Sequence, residues 1–315
     1  MDHCLFKIFL QKDGGGFHMS KKRVSVIVVH HSGWETTQKC LMSLIPSLSS
    51  DDEIVLVDNG SKDFNLKQVN RLLSLYPNIR VIHSKRNLHF TGGSNLGAQH
   101  ACSEILAFIN SDTIVTPFWL KPLVSFLKKH SEYLVQPKIL SYSDKTRIDN
   151  AGGSYFFPGI GWGIGCRQKD HGQFDKVFRT EFVNGTCFLI HASFFNQLRG
   201  FDTRFLHHYE DVDLCLRAQK AGGACFVYGK SIIYHKVSQT FVLVSSPDKI
   251  MYQVRLNMLR IVQRHFTGFH RLSRLCFLLT LFGISIIVDF IAGNIQRSIL
   301  SRKVIWTFFH ESDFR

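Results

Sequence analysis

The chain has 315 residues, 45% of them hydrophobic and 20% charged, which excludes a disordered polypeptide and allows a full hydrophobic core. Eight cysteines are scattered without a C-x-x-C pair, which disfavours a zinc knuckle or disulfide framework and fits a reducing cytosol. The formal net charge of +14 attracts polyanions of any kind, but no nucleic-acid-binding motif accompanies it, so we expect no nucleic-acid partner.

The first 22 residues do not resemble a secretory signal. Their short apolar stretch is interrupted by Lys7 and followed by three glycines at 14–16. We therefore expect a flexible extension over 1–22, and translation starting at Met19 is an alternative.

Strands and helices alternate from residue 24 to residue 109. Continuous β-branched runs at 24–29 and 54–57 predict strands buried on both faces, with a helix over 36–48 between them. A helix over 69–75, a strand over 80–83, part of a helix over 97–102 and a strand over 105–109 follow. This order predicts an α/β fold with three layers, a mostly parallel central sheet and a ligand site beyond the carboxyl ends of the strands.

The pattern changes after about residue 135. Glycines and aromatic residues at 152–163 predict loops and short antiparallel strands that form an acceptor platform. A basic helix is expected over 251–266. The apolar segment 275–288 then ends at Asp289, short of the roughly 20 residues of a membrane span. We favour a helix lying in the membrane interface between flanking arginines; a core helix packed on the catalytic domain is the alternative.

Polar residues follow several of the predicted strands. Asp58 can accept hydrogen bonds from a ribose or a base, and Asp112, shortly after Asn110, offers a hard cation an oxygen ligand close to two phosphates. Turn capping explains each aspartate equally well. His235 also follows a strand-like run, although a lone histidine is more often a packing or surface residue.

An acidic cluster follows Gly200. Asp213 and Arg217 have the spacing of an ion pair on one helix, which is a structural explanation for those two residues. That explanation does not extend to the adjacent Glu210 and Asp211. Neighbouring carboxylates raise each other's proton affinity, as a general base requires.

Small residues at 92–97 predict a turn before a helix, where backbone can approach a diphosphate. The segment is not a G-x-G-x-x-G fingerprint, and the chain has no P-loop lysine motif. Hydride transfer and nucleotide hydrolysis are therefore disfavoured.

Five motifs, in this order, resemble glycosyltransferase family 2, and within it the bacterial rhamnosyltransferase-like branch. They are VSVIVVHH at 24–31, VDNGSKD at 57–63, NLHFTGGSNLG at 87–97, NSDT at 110–113, and GFD at 200–202 with YEDVDLCLR at 209–217. The resemblance runs from about residue 23 to residue 265. It implies the GT-A nucleotide-diphospho-sugar transferase fold, followed here by C-terminal helices.

The resemblance also implies roles for particular residues. Asp211 matches the catalytic base, with Glu210 beside it. Asp112 matches a metal ligand for Mg²⁺ or Mn²⁺, and His235 matches a metal- or phosphate-facing histidine of some relatives. Asn110 departs from a full acidic pair at the metal motif, and His30 and His31 depart from the more usual residues after the first strand. The residues that would border the nucleotide sugar are Val29, His31, Asp58, Arg86, Asn87, Gly93, Asn95 and Asn110.

The implied organisation has three parts. Residues 23–245 form the catalytic domain, in which 23–130 bind the nucleotide sugar and 131–245 bind the acceptor and carry the base. Residues 246–315 form basic and apolar helices that associate with a membrane.

The implied protein is a metal-dependent, inverting hexosyltransferase at the cytoplasmic face of the cell membrane. It would move a sugar from a nucleotide-diphosphate donor, dTDP-rhamnose or a UDP-sugar, to a glycan or lipid-linked acceptor in surface polysaccharide synthesis. A sugar-phosphate nucleotidyltransferase is an alternative, disfavoured because no basic Gly-rich loop follows the first strand. A non-catalytic membrane-surface or polyanion-binding protein is the second alternative.

Overall fold

The computed structural model describes residues 6–9, 22–236 and 246–311. The strands are β1 (Phe6–Phe9), β2 (Lys22–His30), β3 (Asp52–Asn59), β4 (Ile79–Ser84), β5 (Ser103–Asn110), β6 (Thr113–Val115), β7 (Tyr133–Ser141), β8 (Ile148–Asn150), β9 (Gly153–Phe156), β10 (Ile160–Gly163), β11 (Val177–Thr180), β12 (Cys187–His191) and β13 (Ala224–His235). The helices are α1 (Trp34–Leu44), α2 (Leu66–Leu75), α3 (His89–Gln99), α4 (Leu120–Leu127), α5 (Ala192–Gln197), α6 (Glu210–Lys220), α7 (Pro247–His265), α8 (Gly268–Ile291) and α9 (Ile295–His310).

One mixed sheet organises the described residues. Its strand order is β1-β4-β3-β2-β5-β12-β7-β13-β11, with β6 beside β13 and β8 beside β7. The strands from β4 to β5 are parallel, as the alternating pattern predicts. Beyond them β12 runs antiparallel to both β5 and β7, while β7 and β13 are parallel to each other. The parallel arrangement is thus concentrated in the first half of the chain.

Helices cover both faces of this sheet. Val26 and Val28 of β2 point into a core formed with α1, α2 and α4, whereas Ile27 points into the opposite core with α3, α5 and α6. This two-sided burial explains why β2 is continuously apolar. The three-layer arrangement places the carboxyl ends of β2 and β5 side by side.

Part of the predicted N-terminal extension is an edge strand. Strand β1 pairs antiparallel with β4, from Phe6 opposite Ser84 to Phe9 opposite Val81. The remainder of that extension, including Met19, lies outside the described residues.

The small-residue segment at 92–97 is not a turn before a helix, as we expected, but the interior of α3, which begins at His89. A β-carbon on Gly97 would lie 2.5 Å from Ile27 Cγ2, and one on Gly93 would lie 2.8 Å from Val29 Cγ1. The glycines therefore allow α3 to pack closely on β2.

The C-terminal helices differ in length from the prediction. Helix α8 begins at Gly268 and continues through Asp289 to Ile291, giving 24 residues where we expected an apolar segment of 275–288. The segment 275–288 falls short of a membrane span by itself, but the helix continues past Asp289 and is long and apolar enough, by length and composition alone, to cross a membrane. Only 11% of its most apolar window is buried, which contradicts the alternative of a buried core helix.

Candidate functional site

A cleft of about 480 Å³ opens at the carboxyl ends of β2, β5 and β13 and at the start of α6. Parallel strands of an α/β sheet end at a common edge, where ligands usually bind. Eight of the predicted site residues line this cleft: Val29, His31, Asn87, Asn110, Asp112, Glu210, Asp211 and His235. Residues up to 206 positions apart in sequence therefore share one cavity, which the strand-end pattern predicts.

Four predicted residues of the described chain do not line the cleft, and the structure gives each a local role. The Asp58 carboxylate contacts His83 Nδ1 at 2.8 Å and accepts a hydrogen bond from the Ser61 hydroxyl at 2.5 Å. Asn95 donates to the carbonyl oxygen of Phe201 at 2.8 Å. The Arg86 backbone passes against Gly60, and Gly93 packs on Val29.

The paired state of Asp58 affects its ionisation. Burial by itself raises the pKa of Asp58, but hydrogen bonds from His83 and Ser61 outweigh burial and lower that pKa. Asp58 is thus an ionised carboxylate next to the cleft residue Asn59, whose side chain donates to Asn87 at 3.2 Å. Its predicted contact with a base or ribose stays a prediction.

Asp112 and His235 are in direct contact in the cleft. His235 Nε2 lies 3.2 Å from Asp112 Oδ1, and its other ring nitrogen, Nδ1, lies 2.8 Å from Asp149 Oδ2. Burial alone lowers the pKa of His235, but hydrogen bonds to Asp112 and Asp149 raise it to about 9. The ring is therefore protonated at neutral pH while it bridges two carboxylates.

A divalent cation between Asp112 and His235 would have to displace the proton on Nε2, because a histidine binds a metal only through an unprotonated ring nitrogen. A carboxylate on the far ring nitrogen is the usual device by which proteins orient a metal-binding histidine, and Asp149 occupies that position here. No group of three or more histidine, cysteine or acidic ligands is assembled within the described ranges. A cation at this pair would therefore take its other ligands from the donor diphosphate or water.

Glu210 and Asp211 begin α6 at the opposite side of the cleft. The Asp211 carboxylate accepts hydrogen bonds from the backbone N–H of Gly185 and of Val212, both at 2.8 Å. Glu210 is 9% exposed, and its buried Oε2 has no hydrogen-bond partner. The two neighbouring carboxyls therefore differ in how well each can carry a negative charge.

Burial raises the pKa of both carboxyls. The pKa of Glu210 rises the furthest, because the negative charge of Asp211 adds to the effect of burial. The two backbone donors oppose the increase at Asp211. Glu210 therefore holds a proton while Asp211 remains the available base.

The structure adds cleft residues that the sequence did not suggest. His89 and His207 approach within 3.3 Å between Nδ1 and Nε2, and both line the cleft with His208 and Tyr209. His89, His208 and Tyr209 have positive φ angles of 58°, 62° and 68°. Asp149 was also missed, because it follows no predicted strand end. The only sequence signal for this group is the pair of histidines directly before Tyr209.

Asp213 does not face the cleft. It is fully buried and pairs with Arg217, His265 and Arg264, as the i,i+4 spacing to Arg217 predicts for the first of these. Its function is to hold α6 against α7.

Comparison with known proteins identifies a family match and several related sequences. Residues 25–199 match Glycosyl transferase family 2. Polypeptide N-acetylgalactosaminyltransferase 6 of Bos taurus is 22% identical over 226 residues, which are 67% of this chain and 36% of that protein. An uncharacterized glycosyltransferase of Haemophilus influenzae is 28% identical over 107 residues, 34% of this chain and 33% of its own. The chain thus spans about a third of the length of these relatives.

Solved structures share the fold. The structure of GalNAc-T7 with UDP, GalNAc and Mn²⁺ aligns with a TM-score of 0.62 at 20% identity, covering 78% of this chain and 48% of that one. S. aureus TarS 1–349 aligns with a TM-score of 0.55 at 17% identity, covering 85% of this chain and 74% of that one. These similarities confirm the GT-A fold. With more than half of its length matched by the family, the chain belongs to glycosyl transferase family 2.

Proposed function

We propose that this protein is a metal-dependent, inverting glycosyltransferase that transfers a sugar from a nucleoside diphosphate to a hydroxyl group. The observation that carries the proposal is the shared cleft, in which the Asp112–His235 pair and the Asp211 carboxylate face the same cavity. The Asp112–His235 pair suits a cation and a diphosphate, and the Asp211 carboxylate suits removal of a proton from the acceptor.

The proposed reaction is a single displacement. Asp211 takes the proton of the acceptor hydroxyl as that oxygen attacks the anomeric carbon, and the nucleoside diphosphate leaves from the opposite face. One displacement inverts the anomeric centre. Asp112 and His235 would hold Mg²⁺ or Mn²⁺, which supplies neutralising charge at the departing diphosphate when bound.

The donor that we propose carries a pyrimidine nucleotide. The solved relatives bind UDP, and one of them also holds GalNAc and Mn²⁺. The rhamnosyltransferase-like motifs favour dTDP-rhamnose as a second candidate. Uracil and thymine differ by one methyl group, and we propose that either base would contact Val29 and His31, which line the cleft at the end of β2.

The acceptor that we propose is a glycan or lipid-linked hydroxyl compound at the inner face of the cell membrane, in surface polysaccharide synthesis. Exposed apolar side chains on α8 and α9 support a bilayer partner. They include Leu272, Leu281, Ile284, Ile287, Phe290, Ile299 and Trp306, each at least 43% exposed. Arginines near both ends of α8 complement anionic lipid headgroups.

We propose an orientation of α8 in the plane of the interface. Leu278 and Phe282 of α8 pack in one cluster with Leu259 and Val262 of α7, and Arg255 of α7 donates to Ser285 at 2.9 Å. Helix α7 in turn contacts the catalytic domain through Arg264 and His265. A spanning α8 would bring charged groups of α7 into hydrocarbon, which is costly.

A donor screen tests the proposed activity. We expect one UDP- or dTDP-sugar to raise the melting temperature with Mn²⁺ and to release UDP or dTDP on incubation with membrane extract, because a cognate ligand stabilises the folded state. Release of pyrophosphate from a sugar phosphate and a nucleoside triphosphate would instead identify a nucleotidyltransferase. Neither stabilisation nor turnover with the whole donor panel would contradict the proposal.

A further inference from the structure

The residues directly before the catalytic pair have an unusual backbone. His208 and Tyr209 are consecutive non-glycine residues in the left-handed region, with φ angles of 62° and 68°. Tyr209 is the N-cap of α6, and no side chain caps that terminus. Such conformations persist only where surrounding contacts impose them. Something outside this segment must therefore hold it.

Asn257 of α7 supplies that contact. Its side chain is fully buried, and Nδ2 donates to the carbonyl oxygens of His207 at 2.9 Å and His208 at 2.7 Å. Both backbone acceptors belong to the peptide units that enter the left-handed turn. A single amide group thus fixes the two carbonyl directions that determine where α6 begins.

The Asn257 amide is itself held in place. Its Oδ1 accepts from Gln253 at 3.0 Å and from Arg260 at 2.9 Å, and Arg260 also donates to the carbonyl oxygen of Arg204 at 2.8 Å. Because the oxygen is occupied by two donors, the amide can present only its N–H groups to the 207–208 carbonyls.

We infer that Asn257 is a positioning residue for the catalytic base: by holding His208 and Tyr209 in the left-handed conformation, it aims Asp211 into the cleft. The inference rests on the proposed glycosyl transfer only where it is tested by measuring kcat. Helix α7, which carries Asn257, lies outside residues 25–199, the part of the chain that matches the family. The same helix packs against the proposed membrane-binding helix α8 and, by this inference, positions the catalytic base.

The first variant is Asn257→Leu, which keeps the branched shape of the side chain and removes the amide. With the donor found in the screen, we expect kcat to fall at least tenfold and the donor Kd, measured with UDP and Mn²⁺, to change less than threefold. If Asn257 only stabilised the fold, the variant would have a lower melting temperature, and its donor Kd would change together with kcat. Unchanged kcat in Asn257→Leu would overturn the inference.

A compensating change tests the backbone mechanism. Glycine adopts the left-handed region without the penalty of a β-carbon. Adding His208→Gly to Asn257→Leu should therefore restore kcat by at least threefold, whereas His208→Ala removes the same imidazole and should restore nothing. Equal effects of the glycine and alanine changes would contradict the mechanism.

Hydrogen–deuterium exchange provides a readout that needs no substrate. We expect faster amide exchange across residues 207–213 in Asn257→Leu than in the wild type, and a slower rate again when His208→Gly is added. Unchanged exchange would overturn the inference even if the wild type transfers sugar. Conversely, a wild type that transfers no sugar would refute the proposed function and leave the exchange result to decide the positioning role.

Discussion

Glu210 and Asp211 are adjacent in the chain but meet different surroundings. Two backbone N–H groups stabilise a negative charge on Asp211, whereas the buried Oε2 of Glu210 has no partner. The pair therefore shares one negative charge, located mainly on Asp211. Variants that test the catalytic base must therefore remove the charge of one carboxyl group and keep the shape of its side chain.

Asp211→Asn should lower turnover by about 10² to 10⁴, the usual contribution of a general base. Donor affinity with Mn²⁺, measured by calorimetry, should remain within about twofold, because the contacts at Asp112 are untouched. Wild-type turnover in this variant would show that Asp211 is not the base.

Glu210→Gln is the matched comparison. Because the raised pKa keeps Glu210 protonated, a neutral amide of similar shape should reduce turnover less than tenfold, far less than Asp211→Asn. A loss as large as that of Asp211→Asn would mean that Glu210 also acts as an ionised group.

The pH dependence of kcat follows from the same pKa shifts. Because the pKa of Asp211 is raised, the base becomes protonated at a higher pH than an ordinary aspartate as the solution is acidified. We expect the acidic limb of the kcat profile to lie above the ordinary aspartate range. A limb at or below that range would contradict the raised pKa.

The Asp112–His235 pair predicts metal-dependent donor binding. In Asp112→Ala, the UDP affinity measured in Mn²⁺ should equal that measured in EDTA, because the carboxylate ligand is gone. Asp149→Asn should reduce the gain in UDP affinity that Mn²⁺ provides by about 10- to 100-fold, as expected for a group that orients a metal-binding histidine. Equal wild-type affinity in Mn²⁺ and EDTA would remove the cation from the proposed site.

At the level of elements, the contact between α6 and α7 depends on a buried ionic network. Asp213 is fully buried, and its carboxylate contacts Arg217 and Arg264 at 2.8 and 3.1 Å. Its contact with His265 is also 2.8 Å. Removing the carboxylate leaves Arg217 without its counter-charge, while Arg264 keeps its contact with Asp202.

Asp213→Ala should therefore lower the free energy of unfolding by about 3–5 kcal/mol, measured by urea denaturation. Asp144→Ala is the control, because the Asp144–Arg147 pair is nearly half exposed on both sides and its loss should change the free energy of unfolding far less. Equal losses in the two variants would show that the buried network does not join these helices.

At the level of the whole molecule, the exposed apolar side chains are concentrated on the C-terminal helices. Ile284 and Ile287 are 54% and 60% exposed one turn apart on α8. Burying such a side chain in lipid is worth about 1.5–3 kcal/mol. The surface therefore predicts measurable binding to a bilayer.

The full chain should sediment with vesicles of phosphatidylcholine and phosphatidylglycerol, and more weakly with phosphatidylcholine alone. Ile284→Asp with Ile287→Asp should reduce binding at least tenfold. Leu75→Asp, at an equally exposed apolar position on α2, should leave it unchanged. Wild-type binding by the double variant would exclude α8 as the lipid contact.

Much of the parallel part of the sheet follows from local sequence. The β-branched runs at β2 and β3 and the polar residues after β2, β3 and β5 are local signals, since two-sided burial requires uninterrupted apolar residues. The family motifs then identified Asp112 and Asp211, and His235 was suggested by its likeness to a histidine of some relatives; all three line the cleft. The glycines of α3 misled us because a small residue is equally compatible with a turn and with close helix packing.

The sequence alone determined which strands are buried and which polar groups stand at their ends, because both depend on periodicity and neighbouring residues. The tertiary structure alone decided which distant groups complete the site. Asp149 reaches His235 across 86 positions, and Asn257 reaches His207 across 50. No local pattern encodes these contacts, since each depends on where strand β8 or a C-terminal helix packs against residues that are distant in the sequence.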